Sequence, residues 1–203
     1  RLIVSDPPAS FYFDLSSPLA YLAAERILQV LPGPAEWQPV LAAQLPGAER
    51  FEGFRCREEE QIFRLENARR AQALHLQPLR WPDPFPFDST LAMRVATYAK
   101  SIGRVVPFAQ AAFRQAFAGG RNLELADNVL IAAAACEMHP AAVLRGSDLR
   151  SVQRELSAAT ARAAQAGIAD VPAVSVGGQV FLGEHGVEEA AAHMGIPSAA
   201  RSR

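Results

Sequence analysis

Apolar positions along the chain switch between two periods, and the switches mark the elements. Ser10 to Asp14 reads Ser-Phe-Tyr-Phe-Asp, an aromatic-rich run that suits a half-buried strand. Ser17-Pro18 then offers an N-cap followed by proline at the first helical position, and Leu19, Leu22, Ala23, Ile27 and Val30 recur at helical spacing. Pro32-Gly33-Pro34 ends this helix. Glu36 to Val40 forms a second strand, expected to run parallel to the first through a right-handed crossover. The chain therefore opens with a βαβ unit.

From about Leu45 to Arg145 no strand pattern occurs. Glu58 to His75 is charged and amphipathic, with Glu60/Arg64 and Glu66/Arg70 at the favourable i,i+4 spacing. A proline-rich turn from Pro78 to Pro86, bearing Trp81 and Phe85 with Phe87 just beyond, leads to three helices. Ser89 caps the first, through Ile102; Pro107 begins the second, through Ala118; the third runs from Asp127 to Glu137 and is ended by His139-Pro140. Ser147-Asp148 opens another helix, whose Leu149, Val152, Leu156, Ala159 and Ala163 form one stripe, with Gly167 at its C-cap. Ala173 to Val176, Gly177-Gly178 and Gln179 to Leu182 predict a hairpin, and a last helix spans Gly186 to Met194. The order βαβ, helical block, αββα predicts an α/β protein of thioredoxin-like fold with an all-helical domain inserted between its halves: 1–44, 45–145 and 146–203.

Composition narrows the partners. With 203 residues, half of them apolar, the chain can bury a sizeable core. Its 20 Lys+Arg against 21 Asp+Glu lack the electrostatic footprint of a nucleic-acid or anionic-membrane binder. The most apolar run, Val129 to Cys136, lies between Asp127 and Glu137 and falls short of the roughly 20 residues a span needs. Residues 1–10 show no basic stretch leading into an apolar one, so a soluble cytoplasmic protein is the expectation. Cys56 and Cys136 are too far apart for a C-x-x-C pair or a cysteine zinc site, which argues against disulfide chemistry by the chain's own thiols. Cys136 reads as a small hydrophobe, whereas Cys56, between Arg55 and Arg57, could be reactive if exposed.

Two places in such an architecture can carry chemistry. Ser17 stands at the start of the first helix, where unpaired N–H groups favour an anion such as a thiolate and a hydroxyl can donate to it; an ordinary N-cap explains it equally. Val171-Pro172 precedes the hairpin. A cis bond there would make the Val171 N–H and C=O available to an extended peptide, and a proline at the first position of a strand is the plainer account.

Together these pieces resemble a known family. Phe11 to Ala23, Phe-Tyr-Phe-Asp-Leu-Ser-Ser-Pro-Leu-Ala-Tyr-Leu-Ala, is similar to the opening motif of the 2-hydroxychromene-2-carboxylate isomerases, relatives of the kappa-class glutathione transferases and of DsbA-type proteins. Pro84 to Arg94 is similar to the family's mid-chain segment, Asp127 to Leu130 to its later helix, and Gly167 to Gly183 to its cis-proline hairpin. The resemblance implies glutathione as cofactor, with Ser17 against its sulfur and Val171 and Pro172 pairing with its backbone. It implies addition of the thiolate to a conjugated carbon of an aromatic carboxylate, ring opening, and expulsion of the thiolate. A kappa-like glutathione transferase, or a thioredoxin-fold binding protein without catalysis, are the alternatives. Kappa-like relatives are commonly dimers, so a homodimer is a further expectation.

The chain departs from the pattern where relatives carry Ser-Asp or Gln-Asp after the hairpin glycine. Here Gly183 is followed by Glu184-His185, which become the expected contacts of the γ-glutamyl end. Asp88 stands where relatives commonly have Asn and, with Trp81 and Phe85, is an expected substrate contact. The family's early lysine is missing, since Lys100 is the only lysine; Arg50, Arg55 or Arg57 could replace it, and none is assigned. Asp83 and Asp88 read as solvated loop carboxylates rather than an acid–base pair. His185, Glu189 and His193 follow one helical face over more than two turns, too spread to converge on one ion, and no metal is expected.

Overall fold

A computed structural model describes residues 8–48 and 53–195, so Arg50 lies outside the described residues. The first strand, β1 (Ala9–Phe13), alternates buried and half-buried positions, with Ala9, Phe11 and Phe13 turned to one face. That face meets Trp37 of β2 (Ala35–Pro39), which runs parallel to β1; the Phe11 and Trp37 ring centroids are 5.0 Å apart, edge to face. On the other side of β1 lies the antiparallel β3 (Ala173–Val176), and β4 (Gln179–Leu182) completes a four-stranded sheet of order β2-β1-β3-β4. Gly177 and Gly178 take φ of +57° and +85°, which allows the two-residue hairpin to close.

The crossover between β1 and β2 differs from the expected single helix. It breaks into α1 (Pro18–Ala24) and α2 (Ile27–Val30) at Glu25-Arg26. Both side chains at the break are held by other elements: Glu25 by Arg114 at 2.8 Å and Arg26 by Glu188 at 2.6 Å. The central helices are α3 (Arg57–Ala73), α4 (Thr90–Ser101), α5 (Val105–Phe117) and α6 (Ala126–Ala134). α5 starts two residues before Pro107, which the first turn tolerates because N–H groups there have no intrahelical partner.

An unforeseen helix follows. His139-Pro140 does not simply end α6: His139 Nδ1 accepts the Ala141 N–H at 3.2 Å and Pro140 occupies the first turn of α7 (Pro140–Asp148). Ser147-Asp148 therefore closes a helix instead of opening one, Leu149 is extended, and α8 (Arg150–Gln165) begins after it. The hairpin leads to α9 (Gly186–Met194).

One continuous core joins the sheet to the helices. Phe11, Phe13 and Trp37 pack with Met93 of α4 and with Phe108, Phe113 and Phe117 of α5, all essentially inaccessible. A smaller cluster, which includes Val40, Ala163, Ile168 and Val171, gathers around Tyr12 and so on the opposite face of β1.

Asp14 joins these parts just after β1. It is 1% exposed, and its Oδ1 accepts the Ser16 N–H at 2.9 Å and the Ser16 hydroxyl at 2.8 Å. Oδ2 accepts the Ala42 N–H at 2.9 Å from the turn after β2, and the Ser89 side chain also bonds the carboxylate from the start of α4. Ser89 is thereby not the side-chain cap that the sequence suggests. The Thr90 N–H goes to Asp88 Oδ1 at 2.9 Å instead.

Burial raises the Asp14 pKa, against the lowering pull of these hydrogen bonds. The folded chain therefore binds more protons than the unfolded one above the ordinary carboxyl value, and this group's contribution to stability falls as pH rises through the raised pKa. An Asp14→Asn substitution points an amide NH2 at donors. It is expected to lower stability by about 1–3 kcal/mol, read as a reduced urea midpoint at unchanged m-value. The wild-type-minus-variant difference should shrink as pH rises through that range.

Candidate active site

Ser17 is held from three sides. Its N–H donates to the Asp14 C=O at 3.0 Å, its C=O accepts the Tyr21 N–H at 3.0 Å, and its Oγ caps α1 by accepting the Ala20 N–H at 3.1 Å. The residue is buried, and the hydroxyl proton is not used in the cap, so Oγ can still donate.

A cavity of about 290 Å³ has Ser17 in its lining. Ser16 to Leu19 form one side, Gly53, Phe54, Glu59 and Phe63 another, and Phe85-Pro86 and Asp170-Val171 complete it. The Phe54 and Phe63 centroids are 5.2 Å apart, and Phe85 lies 6.3 Å and 6.2 Å from them, so the three rings make one apolar wall. The Val171-Pro172 bond is cis. Ser17 and Val171, remote in sequence, thus face one space. The Val171 N–H is engaged, however, donating to Asp170 Oδ1 at 2.7 Å, and the buried Pro172 gives its C=O to the Gly183 N–H at 3.1 Å.

The other expected contacts lie around this cavity rather than in it. Trp81 stands behind the wall, 5.0 Å from Phe85 and 5.8 Å from Phe63 by ring centroids, with the Arg64 guanidinium 5.2 Å over its own ring. Asp88 is not among the lining residues. Its carboxylate is spent on the Thr90 N–H and hydroxyl, bonds that hold its pKa below the usual range. Glu184 and His185 border a second cleft of about 170 Å³, which shares Leu19 with the first. There Glu184 Oε2 meets Arg70 Nε at 2.7 Å, and the Glu184 C=O accepts from Arg26, which also pairs with Glu188.

Lys100 is tied to β2 by Glu36, Gln38 and the Trp37 C=O. Cys56 is exposed at the N-cap of α3, and Cys136 is buried, with burial pushing its thiol pKa up; neither lines the cavity. His193 packs on the Phe181 ring, and among the described residues no group of three or more His, Cys, Asp or Glu could hold a metal ion.

Sequence reasoning missed Phe54, Glu59, Phe63 and Asp170. Of these Phe63 was the legible one, since with Asn67, Arg70 and Ala71 it recurs at helical spacing on the more covered side of α3, whereas Glu59 is exposed and carried no such signal. Asp170 carried no signal beyond its place before Val171-Pro172.

The family model of the DSBA-like thioredoxin domain matches residues 10–195, and the chain belongs to that family. Comparison with curated proteins gives no match. Among solved structures the fold is similar to a 2-hydroxychromene-2-carboxylate isomerase, with a TM-score of 0.79 at 17% identity over 92% of this chain and 94% of that one. It is similar also to a probable DsbA oxidoreductase from Streptomyces coelicolor, with a TM-score of 0.77 at 19% identity over 97% and 91%. The cytosolic disulfide reductase DsbM from Pseudomonas aeruginosa, solved with GSH, gives 0.60 at 15% over 85% and 87%. At these identities the likeness is one of fold. No described helix is long and apolar enough to cross a membrane.

The Arg70–Glu184 pair joins α3 to the segment after β4, with both side chains part-exposed. A double-mutant cycle of Arg70→Ala and Glu184→Ala is expected to give a coupling of about 0.2–1 kcal/mol by urea unfolding, smaller in high salt.

Proposed function

We propose that the protein is a glutathione-dependent isomerase of the 2-hydroxychromene-2-carboxylate type. The observation that supports this reading is that Ser17 and Val171 line one cavity that also carries a wall of three aromatic rings. In this reading the Ser17 Oγ donates to the glutathione sulfur, favouring thiolate over thiol, while Val171, presented by the cis bond to Pro172, pairs with the tripeptide backbone through its main chain. Glu184 and His185, in the cleft beyond Leu19, take the γ-glutamyl end. Phe54, Phe63 and Phe85 hold the flat acceptor in place of Trp81 and Asp88, which stand outside the cavity.

The chemistry then needs no group on the protein to change oxidation state. The thiolate adds to a conjugated carbon and the neighbouring carbon takes up a proton. The ring C–O bond of the hemiketal then breaks, its hydroxyl proton ending on the phenol oxygen. The freed single bond rotates, and loss of the added proton with expulsion of the thiolate restores the double bond in the trans product. Glutathione is regenerated. The chain contributes sulfur ionisation and the mutual placement of two reactants.

Calorimetric titration with glutathione and assay with the chromene carboxylate test this. Binding without net loss of glutathione during turnover is the expected result. Accumulation of a conjugate would instead select a kappa-like transferase, and absence of binding would reject the reading. Ser17→Ala is expected to lower kcat/KM by about 10- to 100-fold, the worth of a hydrogen bond to a charged sulfur. It also removes a helix cap, at about 1 kcal/mol of stability. Ser17→Thr, which keeps both donor and cap, should recover most of the activity.

A further inference from the structure

The cleft beside the cavity holds charges of both signs. Leu19 borders both spaces, and Arg26, Arg70, Glu184 and Glu188 line the cleft beyond it. Arg26 is spent within the protein: its Nε meets Glu188 at 2.6 Å, and a terminal nitrogen reaches the Glu184 C=O and the second Glu188 oxygen. Arg70 is committed less. Its charged partner is Glu184, whose Oε2 lies 2.7 Å from Nε, and among the described residues neither terminal nitrogen of its guanidinium makes a hydrogen bond. That leaves a two-nitrogen edge of the fork, the geometry that holds a carboxylate by two parallel bonds. Arg70 also stands in line with the cavity. It follows the cavity-lining Phe63 by two turns of α3, so both side chains leave the same side of the helix. Their separation along the axis is about 10 Å, the length of an extended tripeptide.

Two arginines against two glutamates disfavour a simple anion in this cleft, since it would gain Arg70 and meet Glu184 and Glu188. A ligand end that carries ammonium and carboxylate on one carbon answers both signs. Resting on the glutathione reading of the cavity, we propose that Arg70 is a specificity-determining residue that receives the α-carboxylate of the γ-glutamyl end, while Glu184 beside it receives the α-ammonium. The Arg70–Glu184 pair is kept, and the ligand extends it into a ring of alternating charges. A thiol peptide without this carboxylate forfeits the open edge of Arg70.

The test is calorimetric titration of wild type, Arg70→Gln and Arg70→Lys with glutathione and with 4-aminobutanoyl-cysteinylglycine, which lacks only the α-carboxylate, at one pH and salt concentration. Wild type is expected to bind glutathione about tenfold more tightly than the analogue, the lower end of the worth of a hydrogen bond between charged groups. Arg70→Gln should erase that preference, binding glutathione about tenfold more weakly and the analogue within about twofold of wild type. Arg70→Lys keeps the charge without the fork and should fall between; it carries the test if Arg70→Gln does not fold. A side chain that only braced the fold would weaken both ligands alike. Wild type without the preference, or a preference that survives in the folded variants undiminished, overturns this inference and leaves the glutathione reading intact. Failure of wild type to bind glutathione overturns both.

Discussion

A buried carboxylate holds the turn that carries Ser17. Asp14 receives hydrogen bonds from Ser16, from Ala42 after β2 and from Ser89 before α4, and so closes three chain segments around the end of β1. The desolvation of Asp14 is offset only by that set of donors. The turn that presents Ser17 is therefore held by parts of the chain distant in sequence, with little freedom left to its own residues.

Much of the architecture was legible because it rests on local chemistry. Ser17-Pro18 started a helix, Gly177-Gly178 closed a hairpin, and the amphipathic stretch from Glu58 became α3 within a residue or two. The errors fell where one residue type can do two jobs. Proline after histidine predicts a stop and instead forms the first turn of α7; Ser89 does stand at the N-cap of α4, but its side chain serves Asp14 while Asp88 accepts the Thr90 N–H. In both cases the deciding partner lies elsewhere in the fold or one residue away, where periodicity has no view of it.

The site was legible in outline only. Ser17 and Val171 do share a space, and Phe85 borders it. Trp81 and Asp88, chosen from the same proline-rich segment, turn to other tasks: Trp81 backs the aromatic wall, and Asp88 bonds Thr90. The remainder of the wall comes from α3, whose inward face is short of buried residues. Only Asn67 and Ala71 are fully covered along its length, so it gave little hydrophobic signal to follow.

A hydroxyl rather than a thiol stands at the head of α1, and that choice limits what the protein can be asked to do there. Sulfur at this position could be left oxidised by one encounter and would require a second protein to reset it. Oxygen leaves each encounter as it entered. Oxygen forms no disulfide, so the place has no such spent form to be reset.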